Sequence, residues 1–217
     1  MQKQFKVIIA AAFVLLAVSA GITAAYMTDA EQAVNTFTYG SADISVTEEK
    51  WDETPPENKI LYPDRIIPKD PAVTNTGTVN LYVYLEVHVP IRSVRTVSED
   101  KTDIIPSRPQ ELFSYTVNTG WCMVDEYTAE DGSFKAYVYA YAEKALAPGE
   151  TSGTLFDSVH FLNILEGELD MDSNVTMPVY TYGIQSNYIE TSGSSAAERL
   201  ESIYTGHKSE LRTAFNG

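Results

Sequence analysis

At 217 residues, 44% of them hydrophobic and 21% charged, the chain has the material for one domain with a buried core plus a short targeting segment. Fifteen basic against thirty acidic side chains give a formal net charge of -15. That balance argues against a nucleic-acid partner, because phosphate neutralisation needs clustered Lys and Arg.

The amino end carries Lys3 and Lys6, then an apolar run over residues 7–20, then Gly21, Ala24 and Ala25. A positive head, an apolar middle and an Ala-rich exit make the pattern of a secretory signal peptide, too short to be a comfortable membrane span. Residues 1–25 are expected to form that signal helix and to be removed by cleavage after Ala24 or Ala25; an uncleaved anchor is the alternative. The product would be secreted, and loss of Lys3 and Lys6 would take its formal charge from -15 to -17.

Residues 26–39 have few apolar side chains. Tyr26, Met27, Val34 and Phe37 stand among small and polar residues, so the segment suits an extended run along a sheet edge. Residues 40–46 alternate Ala42, Ile44 and Val46 against Ser41, Asp43 and Ser45, a short first strand. Residues 47–69 carry Pro55, Pro56, Pro63 and Pro68 and read as a surface connection with a brief strand over 59–62.

The strongest strand signal follows Asn75-Thr76-Gly77. Leu81, Val83, Leu85, Val87 and Val89 alternate with Tyr82, Tyr84, Glu86 and His88, which predicts one apolar and one wettable face. Pro90 is expected to remove a ladder donor near the strand's end. Pro106 and Pro109 read as a loop. Residues 112–117 and 121–127, joined by Asn118-Thr119-Gly120, predict one hairpin, and Glu130-Asp131-Gly132-Ser133 predicts a second between Tyr127 and Phe134. Cys122, between Trp121 and Met123, reads as a small buried hydrophobe, and a lone cysteine makes no internal disulfide. In the next run Tyr137, Tyr139 and Tyr141 share a face opposite Ala136, Val138, Ala140 and Ala142, which predicts a core or cross-strand ladder ahead of a carbohydrate platform.

Residues 166–174 are acidic, with Asp170, Asp172 and Asn174 two apart. The spacing is that of a calcium loop, but Val175 stands where its glycine belongs and Thr181 where its bidentate acid belongs. Residues 175–185 predict the last strand. Ser192–195 then form a joint and N-cap before 196–212, where Leu200, Ile203, Tyr204 and Leu211 recur at helical spacing.

Several stretches taken together resemble the TasA/camelysin family of Gram-positive exported proteins. They are A-A-Y-M-T-D over residues 24–29, N-T-F-T-Y-G-S-A-D-I over 35–44, and D-P-A-V-T-N-T-G-T-V-N-L-Y-V over 70–83. L-A-P-G-E-T-S over 146–152, with Leu155-Phe156, and Y-T-Y-G-I-Q over 180–185 complete the likeness. Residues 98–111 and those beyond Gln185 lie outside it. The resemblance implies an all-β, antiparallel jelly-roll-like β-sandwich, here with the N-terminal signal helix and a short C-terminal helix, exported through a signal peptidase of SipW type. The domain would span 40–191 and the helical tail 192–217. For the family's best-known members it implies subunits of biofilm-matrix fibres.

Catalytic signatures are sparse. His88, His160 and His207 stand in separate regions, with no H-E-x-x-H, nucleophile elbow or P-loop. Camelysin relatives are described as metallopeptidases, so a zinc reading would use Glu86 and His88 with His160 folded nearby. The expectation is no catalytic residue and no cofactor, with calcium at the acidic loop or zinc at Glu86 and His88 as alternatives. Three functional classes follow. The first is an extracellular matrix or cell-surface fibre subunit joined to copies of itself by strand complementation, with residues 26–39 as donor and an accessory matrix protein as a further partner. The others are a secreted metallopeptidase and a surface adhesin.

Overall fold

The alternation that begins at Leu81 persists for 17 residues, and that strand is the spine of the molecule. The computed structural model describes residues 41–98, 100–169, 175–187, 189 and 192–213. The expected signal peptide with Ala24 and Ala25, the segment bearing Tyr26, Met27, Val34 and Phe37, and the triplet Asp170, Asp172 and Asn174 lie outside those residues. In chain order the elements are β1 (Ile44–Thr47), α1 (Glu49–Glu53), a 3-10 turn (Pro56–Asn58), β2 (Ile66–Pro68), β3 (Ala72–Asn75), β4 (Leu81–Val97), β5 (Ile104–Glu111) and β6 (Phe113–Tyr115). After them come β7 (Trp121–Thr128), β8 (Phe134–Tyr141), β9 (Ser158–Phe161), β10 (Val179–Gln185) and α2 (Ala196–Thr213).

All strand pairs are antiparallel, and the fold is an all-β sandwich with a C-terminal helix. One layer runs β10-β4-β8-β7, with β5 on the far half of β4; the other contains β2-β9-β6 and the pair β1-β3. Between them lies the main core. Val83, Leu85, Val87 and Val89 of β4 and Tyr139 and Tyr141 of β8 meet Val73, Phe113, Val159 and Phe161. The tyrosine row is therefore mostly core, with the Tyr139 hydroxyl 3.2 Å from that of Tyr115.

The opposite face of the β4 layer is also buried, which corrects the expectation of a wettable face. Helix α2 lies on it. Leu200, Ile203 and Tyr204 pack against Tyr84, Val138, Ala140, Tyr182 and Ile184, and Tyr84 and Glu86 are 0% and 2% exposed. Val138 and Ala140, short side chains on this face, leave the room that a helix needs. Ser195 caps α2 by accepting the Glu198 amide at 3.1 Å, while Glu198 accepts the amides of Ser194 and Ser195, a reciprocal capping box.

Other local expectations change for identifiable reasons. Pro90 does not end β4, because it stands where the strand exchanges one neighbour for another: it pairs with Phe134 of β8, and from Ile91 the partner is β5. Residues 104–111 form a strand despite Pro106 and Pro109, since among the described residues β5 pairs on one side only and an edge tolerates missing donors. The short strand predicted over 59–62 lies instead at Ile66–Pro68. Asn118-Thr119-Gly120 is not a hairpin turn: β6 pairs with β9 and β7 with β8, so this link crosses between layers, tied down by the Asn118 amide on the Leu155 carbonyl. The second predicted hairpin, β7–β8, forms, with Gly132 at φ +69°.

Candidate functional site

Period-two alternation puts Glu86 and His88 on the same side of β4, and β10 and β8 flank them. The His88 Nε2 lies 2.6 Å from Glu86 Oε1, and the Tyr127 hydroxyl donates to the same oxygen at 2.5 Å. Tyr182 donates its hydroxyl to Oε2. Burial alone would push the Glu86 carboxyl up; the bonds from His88, Tyr127 and Tyr182 outweigh it and hold the group below its ordinary value. Burial, and then the bond to Glu86, push the Tyr182 phenol up. The His88 ring stacks on Phe134 at 4.0 Å between centroids and leans on Tyr180 at 4.8 Å. The arrangement is a buried carboxylate saturated by donors under an aromatic lid.

His160 is elsewhere. It lies on β9, whose Val159 and Phe161 point into the core, so its side chain leaves the sandwich on the side away from α2. There its Nε2 meets Asp64 at 3.0 Å. The fold therefore does not bring His160 to Glu86 and His88, and no cluster of three or more His, Cys, Asp or Glu side chains suited to a metal occurs among the described residues. His207 is on α2, its Nδ1 2.8 Å from the Ile203 carbonyl. Cys122 is half-buried beside the α2 contact, its thiol raised by burial and 3.7 Å from the Ala140 carbonyl. That is the environment of an inert packing residue.

Sequence reasoning missed Tyr127 and Tyr182 as partners of Glu86, and Tyr180 as a neighbour of the His88 ring. Their parity in β7 and β10 was a usable signal, since it sets them on the same face once the strand order is known.

The sheet margins form a second candidate. Strands β2 and β6 are three residues each, β5 carries two prolines, and β7 is bulged at Val124 beside α2, with Lys208 Nζ 3.3 Å from Asp125. Each of these is a recognised way to blunt an edge. The margin formed by β10 differs. It runs seven residues in unbroken register with β4 and contains no proline. The His88 amide bonds the Pro178 carbonyl and the Ser186 amide bonds the Asn80 carbonyl. Alternation from these two bonds turns the amides of Tyr180, Tyr182 and Ile184 toward β4 and those of Val179, Thr181, Gly183 and Gln185 away from it. The four outward amides have no backbone partner among the described residues.

No protein-family model, curated protein or solved structure matches the chain.

Proposed function

We propose that the chain is an exported structural subunit that assembles head to tail, in the manner of the biofilm-fibre proteins its sequence resembles. The observation that carries this reading is the margin of β10: seven residues in unbroken register, without proline, whose four outward amides have no backbone partner among the described residues, with Ile44 of β1 packed beside Gly183. An added strand would satisfy those amides, as in strand-addition complexes generally. The donor in this reading is residues 26–39 of a neighbouring copy, freed when a signal peptidase of SipW type cuts after Ala24 or Ala25. A donor and an acceptor at different places on one molecule make a contact that does not close on itself, so it propagates as a filament. A net charge of -17 on the processed chain would slow association at low salt, and acid or divalent cations would hasten it. An accessory matrix protein could start or anchor the filament.

The metallopeptidase reading is carried less far. Its two candidate groups, Glu86 and His88, are bonded to each other and enclosed by Tyr127, Tyr182 and Phe134.

Deletion of residues 26–38 tests the donor. The processed chain is expected to form fibres in negative-stain microscopy, and the deleted chain to remain a folded monomer. Fibres of equal yield from the deleted chain would remove residues 26–38 as the donor.

A further inference from the structure

Beside α1, on the β2-β9-β6 side of the sandwich, a cleft of about 300 Å³ opens between Trp51, Leu61, Ile67, Phe113, Val159 and Met177. Its walls are apolar, and among the described residues the only charged ones lining it are Lys59 and Lys69. Both ammonium groups stand over the Trp51 indole, at 4.6 Å and 5.5 Å from the ring centroid.

The two lysines differ in what meets their charge. Lys69 is buried, and its Nζ contacts both oxygens of Glu48 at 2.7 and 2.8 Å, so its charge is matched. Lys59 is half-buried and reaches no carboxylate among the described residues. Among the described lysines it is the exception: Lys50, Lys69, Lys101, Lys135, Lys144 and Lys208 each have a carboxylate within ion-pair distance. In a chain with twice as many acids as bases, a lysine held by an indole and left without an acid is an unmatched charge at the mouth of an apolar cleft. The acids of α1, Glu49 and Asp52, do not line the cleft.

We infer that this cleft binds a medium-chain fatty acid, the carboxylate on the Lys59 ammonium and the alkyl tail between Leu61, Ile67, Phe113 and Met177. The volume lies at the lower end of the range of small-molecule sites, which combine apolar walls with a few placed polar groups in this way. One cation at the rim selects a single negative head. The indole fixes that cation in place, which reduces the ordering needed on binding. The segment 175–178 that leads into β10 forms one wall of the cleft, but none of the four residues whose amides point outward from β10 lines it, so binding here does not require assembly of copies of the chain.

The test is titration of the full chain with hexanoate, octanoate and decanoate, followed by tryptophan fluorescence and calorimetry. The chain has two tryptophans; Trp51 lines the cleft, while Trp121 packs on Tyr141 with its indole N–H on the Gly153 carbonyl. Saturable binding is expected, tightening by about fourfold for each methylene added. Lys59→Gln is expected to weaken decanoate binding about tenfold, the effect of losing a charge-assisted contact, and Lys59→Arg to retain it. Decyltrimethylammonium, of the same tail and opposite head, is expected to leave Trp51 unchanged. Equal decanoate affinity in Lys59→Gln, equal response to the ammonium amphiphile, or no saturable response to decanoate would each overturn the assignment.

Discussion

Tyr182 stands opposite Tyr84 in the β10–β4 ladder, yet its hydroxyl reaches along the sheet to the carboxylate of Glu86, which is paired in register with Tyr180. Diagonal neighbours on one face of a sheet are within reach of an aromatic side chain. This contact ties the edge strand β10 to the central strand through a buried charge as well as through the ladder. Whatever holds β10 in line also holds its outer margin in the shape a further strand would need.

Glu86 should therefore be a large single contributor to stability. Glu86→Ala leaves Tyr127, Tyr182 and His88 without their common acceptor, and we expect a loss of about 3–5 kcal/mol in urea unfolding. Glu86→Gln, which keeps the shape and one acceptor oxygen, is expected to lose about 1–3 kcal/mol. The folded carboxyl lies below its ordinary value, so its contribution is complete above the unfolded value of about 4.3 and fades as pH falls through the lower folded value. Parent and Glu86→Gln stabilities should accordingly converge below about pH 4. A constant difference down to pH 2 would mean that the carboxylate charge is not what the donors hold.

Helix α2 is part of the core. Leu200→Ala, at a side chain 5% exposed against the β4 layer, is expected to destabilise the whole domain by about 2–4 kcal/mol. Ser195→Ala removes the acceptor of the Glu198 amide and should lose about 1 kcal/mol. A helix that merely rests on the surface would give local loss of circular dichroism with an unchanged unfolding midpoint.

Gly77 is required by close approach. A Cβ there would stand 2.3 Å from the Ser41 carbonyl oxygen and 2.7 Å from the Asp43 amide nitrogen, and both are backbone atoms. The Gly77 amide also donates to the Asp43 carbonyl at 2.9 Å. Gly77→Ala is expected to cost about 1–3 kcal/mol and to speed amide exchange over Ile44–Thr47, where the first strand begins. Unchanged exchange at β1 would show that the turn is not what moors it.

Thr181→Pro probes the open margin with little change elsewhere. The Thr181 amide points away from β4, so its loss removes no ladder bond; the side-chain bond to the Tyr84 carbonyl, at 3.2 Å, is forfeited at about 1 kcal/mol. The monomer should keep its circular dichroism and lose fibre formation. Fibres from Thr181→Pro would place the acceptor on another edge.

Much of this architecture was legible from local pattern. The alternation over Leu81–Val89, the β7–β8 hairpin and the helix from Ala196 follow from side-chain period and turn chemistry, which depend on near neighbours. What covered the polar face of β4 was not legible, because Tyr127 and Tyr182 reach Glu86 from 41 and 96 residues away. Asn118-Thr119-Gly120 misled for a related reason: residues that suit a hairpin also suit a crossing between layers, and only the partners of β6 and β7 decide. The prolines of β5 suggested a loop because a missing donor excludes a central strand but not an edge one. The N-cap before Ala196 was legible, whereas the reciprocal bonds of the Ser194 and Ser195 amides to Glu198 were found only in the structure. At the candidate site the pair Glu86 and His88 was legible from parity, whereas the separation of His160 needed the layer assignment of β9.

The central claim is that the outer edge of β10 receives residues 26–39 of another copy, and amide exchange on a two-component mixture tests it most directly. Chain lacking residues 26–38 is mixed with a peptide of residues 26–39, and exchange is followed at Val179, Thr181, Gly183 and Gln185. The account predicts saturable binding with slowed exchange at those four amides. Unchanged exchange there at saturating peptide would contradict it.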